Sequence, residues 1–120
     1  MSHIVTIQTK LRDPVAIAAA CRRLQLPAPV EGTARLYSGT ATGLLVSLSG
    51  WRFPLVVDTA TGTVQFDHFQ GAWGAPAKLD QFVQAYTVEK CRSEARAKGY
   101  AVTETPLADG SVQLQILEAA

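Results

Sequence analysis

The stretch PAKLDQFVQAYTVEKCRSEARAKG (residues 76–99) is the one segment long and periodic enough for a substantial helix, and the β-rich remainder has to be laid out around it. Leu79, Phe82, Val83 and Tyr86 recur at i, i+3, i+4 and i+7, which stacks them on a single helical face. No Gly or Pro interrupts residues 77–98. Gly99 then supplies the left-handed residue that commonly closes a helix, after Arg96 and Lys98 in the last turn, where the dipole favours cations. Pro76 suits the first turn, whereas Ala75 offers no capping side chain.

The stripe then rotates. At about 100° per residue, Val88, Cys91 and Ala95 fall on the side opposite Leu79, Phe82 and Tyr86. Either strands of the same chain wrap two sides of this helix, or its second face meets another protein. In the second case Val88, Cys91 and Ala95 form the centre of a contact rimmed by Arg92 and Glu89, and a homodimer is the commonest closed arrangement.

A chain of 120 residues is long enough to bury one hydrophobic core without disulfides or metals, so a single domain over residues 1–120 is expected. The 48% apolar and 18% charged composition is that of a globular protein, and a net charge of +1 leaves no field to attract nucleic acid or an anionic membrane. The opening MSHIVTIQTKLRD alternates apolar and polar residues and lacks the continuous apolar run of a signal peptide, which leads to an expected cytoplasmic location. Cys21 and Cys91, 70 positions apart, then read as reduced thiols.

Outside the long helix the chain is punctuated for strands. Residues 2–9 alternate, with His3, Val5, Ile7 and Thr9 expected to face inward. Asp13-Pro14 is an N-cap followed by proline at the first helical position, and Ile17, Ala20, Cys21 and Leu24 form the stripe of a short helix that must end by Pro27. Arg12, Arg22 and Arg23 lie on or beside its polar side and read as solvated charges. Residues 33–38, 43–49, 53–59 and 63–69 make a meander whose short Gly-containing breaks demand antiparallel pairing. The loop QGAWGA (residues 70–75) matches no phosphate-binding spacing, and Trp73 reads as a packing residue. A final hairpin, residues 100–105 and 111–117, turns at Asp109-Gly110.

The expected fold is therefore α+β, a mainly antiparallel sheet of about seven strands with two helices on one face, in the order β-α-β-β-β-β-α-β-β. Its expected core has Leu79, Phe82, Val83 and Tyr86 packed on Val46, Leu55, Val57, Leu114 and Ile116.

With these elements placed, Met1-Ser2-His3, Thr6-Ile7-Gln8-Thr9, the run Tyr86…Lys90…Ala95…Gly99-Tyr100 and the closing Glu104…Asp109-Gly110-Ser111-Val112-Gln113-Leu114 carry a resemblance. The chain resembles the uncharacterised family typified by the hypothetical plastid and cyanobacterial reading frame thirty-five. The resemblance implies an accessory or adaptor role, in some cases beside an AAA-type ATPase, and it assigns no catalytic residue.

The residues themselves carry no catalytic signature. His3, Asp58, Asp67 and His68 are the types that ligate zinc or iron or serve as acid and base, but they lack ligand spacing such as H-x-x-x-H or C-x-x-C. Neither cysteine sits at a helix N-terminus or in a Gly-rich elbow, as an activated nucleophile would. Lys90, Arg92, Arg96 and Lys98 are interleaved with Glu89 and Glu94 and accompanied by no aromatic row, which weighs against nucleic acid. No catalytic residue, metal or cofactor is expected. The chemistry favours a non-enzymatic interaction or adaptor module with a protein partner or a second copy, contacting it through Val88, Cys91, Arg92 and Ala95; the alternative is a small-molecule or metal-binding domain.

Overall fold

A computed structural model describes residues 4–67 and 72–117, and within them the expected order β-α-β-β-β-β-α-β-β is found. The strands are β1 (Val5–Gln8), β2 (Val30–Arg35), β3 (Thr40–Val46), β4 (Leu55–Asp58), β5 (Thr63–Phe66), β6 (Ala101–Pro106) and β7 (Val112–Leu117). The helices are α1 (Pro14–Arg23) and α2 (Pro76–Ala97). Every strand pairing is antiparallel, but the strands divide into two sheets: five in the order β1-β5-β4-β3-β2, and the β6-β7 pair alone. Among the described residues no helix is long and apolar enough to cross a membrane.

The main core lies between the five-stranded sheet and both helices. Leu44, Val46, Leu55, Val57, Val64 and Phe66 point from alternate strand positions toward Ala16, Ile17, Ala20 and Cys21 of α1 and Phe82, Ala85 and Tyr86 of α2. Burial pushes the Cys21 thiol above its usual range. The other face of the sheet holds a smaller cluster of Ala34, Leu36, Ala41 and Val56, flanked by Ile4, Leu45 and Phe53. Gly39 approaches Ile4 from the far edge of the sheet, a Cβ there lying 3.7 Å from Ile4 Cδ1, so the sheet curls over its second face.

The expected core needs correction at its C-terminal end. Leu114 and Ile116 do not reach it, because β6 and β7 run alongside the distal half of α2 instead of joining the large sheet. Ile116 is 48% exposed, and Val83 is only half-buried. The molecule is accordingly drawn out, with extents of 56 × 32 × 23 Å and a radius of gyration of 15.4 Å. A compact chain of this length has about 14 Å.

Local chemistry fixes the helix ends as the residues suggest. Asp13 Oδ1 accepts from Val15 N–H at 2.9 Å and Ala16 N–H at 3.3 Å, capping α1 ahead of Pro14. The Tyr86 hydroxyl accepts from the Arg12 and Asp13 amides at 3.4 and 3.2 Å, fastening the start of α1 to α2. At the other end of α2, Gly99 takes φ +79° and Tyr100 N–H bonds back to Ala95 O at 2.9 Å, which reverses the chain into β6.

Phe82 is fully buried at the junction of both helices and the sheet. Phe82→Ala is expected to destabilise the protein by roughly 3–5 kcal/mol, read as a lowered denaturant midpoint at constant slope. An unchanged midpoint would remove Phe82 from the core.

Candidate functional site

The second face of α2 is occupied by the chain's own hairpin. Val88 and Ala95 are 5% and 4% exposed, while Cys91 and Arg92 are half-buried at the margins of the hairpin contact. The four residues thus share one side of α2, two beneath β6 and β7 and two at their border. A small groove of about 150 Å³ opens there, lined by Cys91, Glu94, Ala95, Lys98, Tyr100 and Ile116.

The hairpin is positioned by charge, and its apolar burial is modest. None of its strand residues is buried, and only alternate side chains such as Val102, Val112 and Leu114 are half-covered by α2. Two-stranded hairpins are marginal on their own. Glu104 of β6 accepts two hydrogen bonds from Arg23, both at 2.8 Å, and is also paired with Arg92. Arg23 Nε donates in turn to Glu89 at 2.9 Å. Arg23, read from sequence as a solvated charge, therefore ties α1 to both α2 and β6. Gln84 Nε2 donates to Gly110 O at 3.3 Å and holds the turn, while the Ser111 side chain and amide hold the Asp109 carboxyl below its usual range.

Register determines what the hairpin leaves open. Leu107 N–H bonds to Ser111 O at 2.9 Å, so with Glu104 opposite Leu114 the hydrogen-bonded pairs are Thr105–Gln113, Thr103–Gln115 and Ala101–Leu117. The intervening residues turn their N–H and C=O groups outward. On β6 these are Val102, Glu104 and Pro106, an edge interrupted by a charge and by a residue with no N–H. On β7 they are Val112, Leu114 and Ile116, with neither obstruction. Among the described residues no further strand pairs with β7.

Two other places gather ionisable side chains. A groove of about 520 Å³ between the β1–α1 turn and α2 is lined by Lys10, Arg12, Asp13, Tyr86 and Lys90. Lys90 Nζ donates to Asp13 at 2.9 Å; this hydrogen bond is the main cause holding the Asp13 carboxyl below its usual range and the Lys90 amine above its own. Three of these five lining residues are cationic, so the groove's chemistry suits contact with an anion.

The second place is Asp67. It follows β5 and is fully buried, and among the described residues neither carboxylate oxygen has a hydrogen-bond partner. Asp58 sits at the opposite end of β5, opposite Thr63 in the register and accepting from Ala60 N–H at 3.0 Å, so the two carboxylates are separated by about 13 Å of strand. His3 and His68 lie outside the described residues. Among the described residues no group of three or more His, Cys, Asp or Glu side chains is placed to hold a metal ion. Nearby on the chain, Trp73 contacts Tyr37 and Phe53 at centroid distances of 5.1 and 5.6 Å and receives the Arg52 guanidinium at 5.0 Å, as a packing residue would. Gly74 is required here, because a Cβ would lie 2.5 Å from the Trp51 ring.

No protein-family model, curated protein or solved structure matched the chain.

An unpaired buried carboxylate costs several kcal/mol that a neutral side chain does not. Asp67→Asn is therefore expected to stabilise the fold by about 1 kcal/mol or more, read as a raised unfolding midpoint. A lowered midpoint would reveal a partner for the Asp67 side chain.

Proposed function

We propose that the protein is a non-enzymatic interaction module that docks another polypeptide strand along β7. The observation that carries this reading is the outward row of Val112, Leu114 and Ile116 on a strand with no proline and no charge. An extended chain laid against such an edge gains main-chain hydrogen bonds, and alternate side chains supply specificity. Ile116 and Leu117, 48% and 50% exposed, give it apolar area, and the groove beside Cys91 and Ala95 receives side chains from the new strand. The contact face expected on α2 is thereby displaced by one layer: Cys91 and Ala95 take part as the floor of the groove, while Val88 and Arg92 hold the hairpin. The resemblance noted in the sequence supports an adaptor role, in which an AAA-type ATPase system is a candidate partner.

The test uses a substitution that spares the hairpin's own ladder. Ile116→Pro removes an outward N–H that β6 does not use, as Pro106 does on the other strand. Immobilised wild-type protein is expected to retain a partner from extract of its native cells, with retention lost on Ile116→Pro at unchanged circular dichroism. Equal retention by both proteins would place the contact away from β7.

A further inference from the structure

The geometry points to a second copy of this chain as the occupant of the β7 edge, the two β7 strands pairing antiparallel about a two-fold axis at Leu114. This rests on the reading of β7 as the docking edge and adds the partner and the register.

The outward-facing backbone groups set the register. An antiparallel partner centred on Leu114 sets Val112 opposite the partner's Ile116, and Leu114 opposite the partner's Leu114. Each of these residues presents its outward N–H and C=O to an identical outward pair, so all six strand residues involved form hydrogen-bonded pairs without an orphan. A shift of one residue would set outward groups against inward ones. The side chains agree with the same register. Val112, Leu114 and Ile116 of both copies form one apolar row on the α2 side, extending over the groove at Cys91 and Ala95. On the other face Gln113 meets the partner's Gln115 in the closely spaced pairs, where two amides hydrogen-bond and no like charges meet.

Closure favours a dimer over a filament. Head-to-tail pairing of β7 with a partner's β6 would propagate indefinitely. The β6 edge disfavours it, since Pro106 lacks an N–H and Glu104 sets a charged side chain in the row. Pairing of β7 with β7 uses up the open edge of each hairpin and leaves a four-stranded sheet bounded by the two β6 edges. β6, tied to α1 through Glu104, is then the outer strand of each half of that sheet, which puts α1 of each copy on the side away from the axis.

The register makes a charge test possible at exposed positions that the fold does not use. Gln113→Lys with Gln115→Lys sets lysine opposite lysine twice across the axis, whereas Gln113→Lys with Gln115→Glu sets lysine opposite glutamate twice. Light scattering after size exclusion, run over a concentration series, is expected to find wild type dimeric. The Lys/Lys variant should have a dissociation constant raised roughly tenfold, and the Lys/Glu variant one at or below that of wild type. Equal weakening by both variants overturns the register. A wild type that is monomeric throughout overturns the homodimer; if Ile116→Pro still abolishes capture of a different polypeptide, the docking edge stands and only its occupant was wrong, and if it does not, both fall together.

Discussion

The arrangement depends on α2 burying two faces. Phe82, Ala85 and Tyr86 close the main core from above, while Val88 and Ala95, rotated well over 100° around the axis, are covered by the hairpin. A helix of 22 residues is about 33 Å long and overruns the short strands beneath it. Its distal half would stand in water if β6 and β7 did not lie along it. That one requirement accounts for the division into two sheets and for the drawn-out shape.

The two halves are held by different physics. In the main core, full burial of side chains such as Phe82, Ile17 and Leu55 supplies roughly 1.5–3 kcal/mol each. The hairpin has no fully buried strand residue, so its apolar contribution is small. Its position is set by Glu104 between Arg23 and Arg92, with Arg23 also on Glu89. These side chains are partly exposed, and single pairs of that kind contribute only about 0.2–1 kcal/mol. A bidentate network of four fixes geometry more than it adds stability. Arg92 Nε is buried without a hydrogen-bond partner among the described residues, which lowers the gain further. The hairpin is thus positioned well and stabilised weakly, the condition under which an added strand contributes most.

Much of this was legible in the residues. The α2 periodicity, Pro76 and Gly99 bounded the helix, Asp13-Pro14 capped α1, and Asp109-Gly110 placed the last turn. The rotation of the stripe to Val88, Cys91 and Ala95 also announced a second covered face. What alternation cannot carry is which element a face meets: Leu114 and Ile116 alternate as core-facing residues would, yet lie outside the main core, on the strand beside α2. Charge partners are equally hidden, since Arg23 and Glu104 lie 81 positions apart and no local pattern links them. The open edge of β7 follows from register and from the missing N–H of Pro106, and both require the strands to be paired first. Asp58 and Asp67, candidates by residue type, are kept apart by the length of β5.

The most direct measurement is residue-resolved amide exchange along β7 in dilute protein. Slow exchange is predicted at Gln113 and Gln115, whose N–H groups bond to β6, and fast exchange at Leu114 and Ile116, whose N–H groups face outward. Slow exchange at all four in the dilute limit would mean that the chain itself covers the edge. Fast exchange at all four would mean that the hairpin is not docked on α2, and either result contradicts a positioned strand with one open side.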